Sequence, residues 1–258
     1  MSVNGDSAFQ AESHPYKGSQ LTRPDWPTKH DVDNTARNLL VYILEPEKHP
    51  DRIVRDSPDA VTIRDKYPKA QVHLLVLPKW HPHRDLHPHD AFEDPDFLAM
   101  MRLETKEALT IAIPMLKSKM NDTLKEGGMK DADVKALLGQ RDFEMDFQIG
   151  IHAHPSQHEL HVHVISRDMV SRHPYSPRHY QSFNTPFLVP LRLYPLSPDD
   201  MRREVRYQNA NLQKNDFECW RCGKNFGTNW GKTLKHLDAE FNSWIREGSD
   251  IQNIQLKG

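Results

Sequence analysis

The chain has 258 residues, which allows one large domain or two smaller ones. Its 34 Lys and Arg against 36 Asp and Glu give a net charge of −2, so a nucleic acid partner would have to be held by local basic patches. Two cysteines exclude a disulfide-rich scaffold, no apolar run reaches the ~20 residues of a membrane span, and the first residues do not form a secretory signal.

The first part of the chain is predicted to contain a leader, one helix and three short strands. Residues 1–30 are rich in Ser, Gly, Pro and charge, which predicts a disordered leader. Apolar residues at helical spacing from Leu39 to Leu44 predict a helix, with Asp33 or Asn34 as N-cap and Pro46 as its stop. Short β-branched runs predict strands at 53–54, 61–63 and 72–77.

The middle of the chain is predicted to hold a long helix and the centre of an antiparallel sheet. The helix covers 90–124, with Pro114 as a possible kink, and a surface connection follows at 125–141. Alternating patterns predict two adjacent strands at 145–151 and 160–165, joined by a histidine-bearing turn. The Arg-, Pro- and His-rich stretch after Ser166 is too irregular to predict a core element.

The last part of the chain is predicted to be a separate unit. Residues 199–213 have a helical pattern, and 217–246 form a compact unit with both cysteines. These features place a domain boundary near residue 198.

Two histidines lie two positions apart in the second predicted central strand, within the segment GIHAHPSQHELHVHVISRD. On a strand, His161 and His163 share one face, while the intervening Leu and Val residues occupy the other. His152 and Ser156 lie four positions apart in the preceding turn. A neutral imidazole is a good nucleophile towards phosphorus, so this pattern suits covalent catalysis. By spacing alone, a hydrogen-bonded structural pair and a zinc site using H-x-H remain alternatives.

A second group of residues has the spacing of a zinc site. Cys219 and Cys222 form a C-x2-C knuckle, His236 follows after thirteen intervening residues, and Glu240 comes four positions later on the same face of a predicted helix. Asp238 is a poorer ligand candidate, because its side chain points elsewhere. A redox C-x-x-C pair is the alternative, but no thioredoxin-like βαβ pattern surrounds it.

The strand LHVHVI resembles the His-φ-His-φ-His-φ-φ signature of the histidine-triad superfamily of nucleotide hydrolases and transferases, with Glu159 in place of the first histidine. Further segments follow the same order, namely IRDKYPKAQVHLLVLPKWH, GIHAHPS, HYQSFNTPF and the cysteine unit. Together they resemble the aprataxin family of DNA-adenylate hydrolases, its fungal forms in particular, over residues 34–247. The resemblance implies an α+β fold, with a histidine-triad domain of antiparallel sheet and flanking helices fused to a small C2HE zinc finger. The implied divisions are a leader (1–30), a histidine-triad domain (31–198) and a zinc-finger DNA-binding domain (199–258).

The resemblance also implies roles for individual residues. His161 matches the nucleophile and His163 the third triad histidine, while His152 matches a residue that contacts the scissile phosphate and leaving group. Ser156 matches a residue that holds the phosphate. The implied nucleotide- and phosphate-binding residues are Asp65, which can accept the ribose hydroxyls, His73, Lys69 and Arg178, which stands where many members have lysine.

The implied activity is removal of AMP from 5′-adenylated DNA ends left by abortive ligation, in single-strand break repair. From residue 201 onwards, ten Lys and Arg against seven Asp and Glu give a local positive charge, although a solvated surface patch is the alternative reading. The implied partners are DNA and the product AMP, with one structural zinc ion, no organic cofactor, no membrane, a monomeric state and a nuclear location. The alternatives are a small-molecule nucleoside phosphoramidase or dinucleotide hydrolase, and a catalytically idle nucleic-acid-binding finger protein. The implied DNA-contacting residues are Lys79, Trp80, His81, His83, Val170, Ser171 and Arg172.

Overall fold

The computed structural model describes residues 39–171, 173, 175–214 and 216–247. The predicted leader, the N-cap candidates Asp33 and Asn34, and Arg172 lie outside these residues. All the described residues belong to one compact unit. Among them, no helix has both the length and the apolar character that a membrane crossing requires.

The described residues contain six strands, namely β1 (Ile53–Asp56), β2 (Ala60–Arg64), β3 (His73–Pro78), β4 (Phe147–His152), β5 (Val162–Ser166) and β6 (Leu188–Pro190). They form one antiparallel sheet in the order β1-β2-β3-β5-β4-β6. The predicted neighbours β4 and β5 do pair, but the middle of the sheet is formed by β3 and β5, and β4 lies next to the edge strand. The other three predicted strands are present, whereas β6 was not predicted.

Alternation along the central strands separates an apolar face from a histidine-bearing face. Across β3 and β5, Leu74 is opposite Val164, whereas Leu75 is opposite His163. Leu74 and Val164 belong to the main hydrophobic core, which also contains one side of a long helix. The prediction that His161 and His163 share one face of the strand, and their Leu and Val neighbours the other face, is therefore confirmed.

Seven α-helices accompany the sheet within the part of the chain that the structure describes. The longest has Asp94 as its N-cap, whose carboxylate accepts hydrogen bonds from two backbone N–H groups of the first turn, and the helix continues through Pro114. The predicted helices at 39–44, 90–124 and 199–213 are present with shifted ends, and so is the helix that was predicted to carry His236 and Glu240. The helices are α1 (Leu40–Leu44), α2 (Pro88–Ala91), α3 (Pro95–Glu126), α4 (Asp131–Gly139), α5 (Pro177–Asn184), α6 (Val205–Leu212) and α7 (Trp230–Glu247).

Two segments that were not predicted to form core elements are helical. Within 125–141, α4 buries Val134 and Leu138, which lie four positions apart on one helical face. Within the irregular stretch after Ser166, α5 begins at an N-cap serine, Ser176, followed by proline at the first helical position. Dense charge in the first segment and dense Pro and His in the second concealed these short amphipathic patterns.

The last described helix, α7, packs into the main hydrophobic core. Trp244 and Ile245 of α7 belong to the main hydrophobic core. The guanidinium of Arg141 lies over the Trp244 ring and donates to the Trp244 carbonyl oxygen at 3.0 Å. The predicted boundary near residue 198 stays a prediction, but side chains from both sides of it are buried together.

Candidate active site and metal centre

Four histidines, three of them within strands and His161 directly before β5, meet on one face of the sheet. His163 is central: its ring centroid lies 4.4 Å from that of His152 and 4.9 Å from that of His161. Its Nδ1 is 2.9 Å from Nε2 of His73, a hydrogen bond between neighbouring strands. The register of β3, β5 and β4 brings together residues that lie up to 90 positions apart in the chain.

The imidazole of His161 is held in one tautomer by its own backbone. Its Nδ1 lies 2.8 Å from the carbonyl oxygen of Glu159. Because a carbonyl oxygen can only accept a hydrogen bond, Nδ1 must carry the hydrogen. The lone pair of neutral His161 is therefore on Nε2. The residue at the first triad position thus contributes a main-chain acceptor to the histidine that was predicted to be the nucleophile.

Burial keeps these imidazoles neutral. It lowers the pKa of His161, although the Glu159 carbonyl and Asp65 oppose this shift. It lowers the pKa of His73 to about 4 and places those of His152 and His163 well below 6.5. Among the described residues, the Nε2 atoms of His152 and His163 have no hydrogen-bond partner. Two buried ring nitrogens thus remain available to a ligand in this pocket.

A carboxylate and an amine border the site on the turn between β2 and β3. Asp65 Oδ2 lies 3.3 Å from His73 Nδ1, and Oδ1 accepts a hydrogen bond from the backbone of Tyr67 at 2.7 Å. Burial raises the pKa of Asp65, but His73, the Tyr67 N–H and Lys69 outweigh it, so that the pKa lies below its usual value. The ammonium of Lys69 donates to the Tyr67 carbonyl oxygen. The structure therefore brings Asp65, Lys69 and His73 together, while their predicted roles in nucleotide binding stay predictions.

Sequence reasoning missed two residues of α5 that border the histidine cluster. The Phe183 ring centroid lies 4.8 Å from that of His152 and 5.2 Å from that of His163. His179 lies near enough to Lys69 for that charge to lower its pKa, after the larger effect of burial. The Ser176 cap followed by proline at the first helical position was the signal for this helix.

Two other predicted phosphate-binding residues are exposed. Ser156 lies in the loop between β4 and β5, and Arg178 lies in the first turn of α5. Arg178 is near enough to His179 to lower the pKa of that imidazole. The roles of both residues stay predictions.

The predicted DNA-contacting residues differ in their surroundings. His81 is exposed, whereas His83 is buried. The ring of His83 stacks on that of Phe97, with 4.5 Å between the ring centroids, and its Nε2 lies 2.9 Å from Oδ2 of Asp94. Trp80 donates its ring N–H to Asp59, and Lys79 contacts Asp56 and the carbonyl oxygen of Ser57.

The second predicted DNA-contacting segment, which contains Val170 and Ser171, is hydrogen-bonded to the connection between β2 and β3 that carries Asp65. The hydroxyl of Ser171 donates to the carbonyl oxygen of Pro68 at 2.6 Å. The side chain of Gln71 donates to the carbonyl oxygen of Val170 at 3.1 Å. Both contacts place this segment beside the predicted nucleotide site.

The four predicted zinc ligands come together. One ligand atom from each of Cys219, Cys222, His236 and Glu240 lies within 4.8 Å of the others. His236 Nε2 is 3.2 Å from Cys222 Sγ and 3.3 Å from Glu240 Oε2, while the other oxygen of Glu240 contacts Arg221.

The chemistry of these four side chains suits zinc. Two sulfurs, one imidazole nitrogen and one carboxylate oxygen are a tetrahedral donor set for Zn²⁺. Burial raises the pKa of the Cys219 thiol to about 12, so that binding of a metal would have to displace its proton. The residues present therefore fit the predicted ion.

Two protein-family models match this chain. The model described as scavenger mRNA decapping enzyme C-term binding matches residues 38–174, and a C2HE/C2H2/C2HC zinc-binding finger matches residues 184–243. The aprataxin-like protein of Saccharomyces cerevisiae is 31% identical over 211 residues, covering 80% of this chain and 95% of the relative. The aprataxin-like protein of Schizosaccharomyces pombe is 30% identical over 222 residues, 86% of this chain and 88% of that protein. The chain belongs to the aprataxin family.

Solved structures agree with this membership. Hnt3 in complex with DNA and guanosine superimposes with a TM-score of 0.65 at 25% identity, over 83% of this chain and 99% of that one. The aprataxin orthologue Hnt3 from Schizosaccharomyces pombe gives a TM-score of 0.56 at 26% identity. The predicted fold class, a histidine-triad domain of α+β architecture with a C2HE zinc finger, is confirmed, and the chain is a histidine-triad hydrolase of the aprataxin type.

Proposed function

We propose that this hydrolase removes AMP from 5′-adenylated DNA ends, and that His161 is its nucleophile. The observation that carries the proposal is the hydrogen bond from His161 Nδ1 to the carbonyl oxygen of Glu159, which leaves a lone pair on Nε2 of a buried, neutral imidazole. The relatives support the choice of substrate, because they are aprataxin-like proteins and the related Hnt3 was solved in complex with DNA.

In the first step, Nε2 of His161 attacks the adenylate phosphorus. The new P–N bond replaces the P–O bond to the DNA 5′-phosphate, which departs with the electrons of that bond. His152, whose ring packs against that of His163, assists this departure. Because the leaving group is itself a phosphate, it needs less help from a proton than an alkoxide would. The product of this step is DNA with a normal 5′-phosphate and an adenylyl-histidine.

In the second step, water attacks the phosphorus of the adenylyl-histidine. The P–N bond breaks, its electrons return to Nε2 of His161, and AMP leaves with the oxygen of the water. The two-step route replaces one difficult displacement with two easier ones. The His73–His163 hydrogen bond supports the site: when His73 Nε2 donates to His163 Nδ1, the remaining Nε2–H of His163 points towards the phosphate oxygens.

Asp65 and the finger supply binding rather than chemistry in this scheme. An ionised Asp65 accepts the ribose hydroxyls, and its lowered pKa keeps it ionised at neutral pH. Cys219, Cys222, His236 and Glu240 would hold a structural zinc ion, which fixes the fold of the finger when it is bound. With four protein ligands, such an ion has no open position for substrate.

The proposal includes the cellular setting of the enzyme. It would act as a monomer in the nucleus, in the repair of single-strand breaks, with DNA as substrate and AMP as product. Exposed His81 and Arg178 suit contact with the phosphate backbone, which fixes position rather than reading sequence.

One incubation with 5′-adenylated nicked DNA tests the proposed activity. We expect release of AMP and conversion of the DNA to the 5′-phosphorylated form, as seen on a denaturing gel. A parallel reaction with a nucleoside phosphoramidate or a dinucleoside polyphosphate tests the small-molecule alternative. A kcat/KM for either small molecule above that for adenylated DNA would overturn the choice of substrate.

A further inference from the structure

A cation lies against the carboxylate that completes the predicted zinc site. Arg221, between the two cysteines of the knuckle, donates from Nη1 to Oε1 of Glu240, while Oε2 of Glu240 lies 3.3 Å from Nε2 of His236. One oxygen of this carboxylate therefore faces the ligand group, and the other faces the guanidinium. The second arm of the guanidinium, Nη2, donates to Oε2 of Glu247 at 2.6 Å, near the end of α7.

The two carboxylates that Arg221 contacts differ in their exposure to water. The side chains of Arg221 and Glu240 are 16% and 12% exposed, whereas that of Glu247 is 56% exposed. A charged hydrogen bond that is shielded from solvent is screened less than a surface ion pair, which contributes little. The contact with Glu240 is therefore the one that can fix the orientation of a side chain.

A ligand set with glutamate carries more negative charge than one with a second histidine. When the ion is bound, two thiolates and one carboxylate carry three negative charges, one more than Zn²⁺ neutralises. With two cysteines and two histidines, the same ion would be neutralised without excess. Arg221 stays protonated at physiological pH, so its charge offsets the additional negative charge that Glu240 brings.

We propose that Arg221 is a positioning residue of the zinc site, which holds Glu240 so that only Oε2 faces the ion and which balances the excess charge of this ligand set. A carboxylate can bind a metal through either oxygen or through both, and the hydrogen bond from Arg221 occupies Oε1. Groups that orient a metal ligand from outside the coordination sphere typically contribute about 10- to 100-fold to metal affinity. The role depends on the carboxylate, because a histidine at position 240 has no second oxygen for Arg221 to hold.

Zinc affinity in two ligand backgrounds tests this proposal. The zinc-loaded full chain is challenged with increasing amounts of a chromogenic chelator, for the wild type, Arg221→Gln, Glu240→His and the variant with both changes. We expect Arg221→Gln to weaken zinc binding at least about tenfold when residue 240 is glutamate, and less than about twofold when it is histidine. A purely structural role of Arg221, such as its contact with Glu247, would weaken both backgrounds by the same factor.

Lys224→Gln is the matched control, because Lys224 is an exposed cation of the same knuckle whose ammonium lies over the ring of Phe226. It removes the same charge and should leave the zinc affinity unchanged. Arg221→Lys keeps the charge but loses the planar fork, so it should restore only part of the affinity.

Thermal melts of the zinc-loaded variants show whether each one folds. Should Arg221→Gln fail to fold, Arg221→Lys in the same two backgrounds makes the same comparison. The proposal is overturned if the Arg221 variant holds zinc as tightly as the wild type, if both backgrounds lose affinity equally, or if Lys224→Gln causes the same loss. None of these readouts uses deadenylation, so they stand or fall separately from the proposed activity.

Discussion

The histidine face of the sheet and the zinc finger use the same side chain for different chemistry. On the sheet, four imidazoles contact one another, and the main-chain carbonyl of Glu159 orients the one that is predicted to react. In the finger, a single imidazole meets two sulfurs and a carboxylate. Within the described part of the chain, the sheet histidines are not among the groups whose ligand atoms converge for a metal.

This comparison shows what decides the role of a histidine. The neutral imidazole is the reactive form in both regions, but only the finger supplies the anionic ligands that Zn²⁺ favours. On the sheet, burial lowers the histidine pKa values without supplying a thiolate, and the hydrogen bond to the Glu159 carbonyl leaves the lone pair of His161 on Nε2. The H-x-H spacing by itself does not distinguish a catalytic pair from a metal site, whereas the partners of each ring favour the proposed catalytic role over metal binding.

Removal of the predicted nucleophile should give the largest effect. His161→Ala should lower the rate of AMP release from adenylated nicked DNA by at least about 1,000-fold, because it removes the proposed nucleophile. DNA affinity, measured by fluorescence anisotropy, should change little. His161→Asn is the control for loss of volume and should be equally inactive. Deadenylation within tenfold of wild type by either variant would remove His161 from its role.

Loss of a zinc ligand in the finger should lower the thermal stability of the protein more than the rate of its chemical step. Cys222→Ala should release zinc and lower the melting temperature by on the order of 10 °C, since α7 carries both His236 and the core residue Trp244. Zinc content by mass spectrometry and a thermal melt measure the two effects. Glu240→His should retain zinc, because it places the commoner ligand at the same helical position. A Cys222→Ala protein that keeps its zinc would contradict the ligand set.

The parts of the fold that could be predicted are those with a strong local period. The alternation of LHVHVI placed His161 and His163 on one face, and the cysteine spacing with His236 and Glu240 predicted a group that the structure brings together. The contact between His73 and His163 depends on strand register, over 90 positions, which no local pattern specifies. The resemblance to a family, not the spacing, brought His73 into the predicted site.

Other elements escaped prediction because their signals are short or mixed. The three-residue strand β6 is bounded by prolines, and it can lie close to β4 because residue 150 is glycine. A Cβ there would stand 2.7 Å from the carbonyl oxygen of Val189. Helix α5, which carries Phe183 and His179, was concealed by its prolines and histidines. The structure of such segments depends on tertiary contacts, which a local sequence pattern indicates only weakly.

Acid should destabilise the fold through the buried histidines of the sheet. The pKa of His73 is lowered to about 4 from an ordinary 6.5, so the unfolded chain binds this proton more readily than the folded one. Stability from this group is therefore present above pH 6.5 and is lost as pH falls towards 4, by about 3 kcal/mol. Urea unfolding at a series of pH values measures the slope. His73→Gln should reduce the slope, and an unchanged slope would show that other groups account for it.

The smallest expected effect concerns the outer face of α1 and the end of the DNA. Leu39 and Ile43 pack inwards against β2 and β3, whereas Val41 is 44% and Leu44 is 59% exposed. In the proposed enzyme, these two apolar side chains suit contact with a terminal base pair that has lost its stacking neighbour. Val41→Gln with Leu44→Gln should raise KM for adenylated nicked DNA about fivefold, roughly 1 kcal/mol, and leave cleavage of a mononucleotide substrate unchanged.

A matched control separates this contact from a general effect of surface polarity. Leu103 of α3 is as exposed as Leu44, and Leu103→Gln should leave both substrates unaffected. The α1 variant should also keep the salt dependence of DNA binding, because that dependence comes from phosphate contacts made by Lys and Arg elsewhere. Equal losses of activity on the nicked DNA and on the mononucleotide would show that α1 only stabilises the core. A helix that merely packs on the sheet cannot distinguish the two substrates.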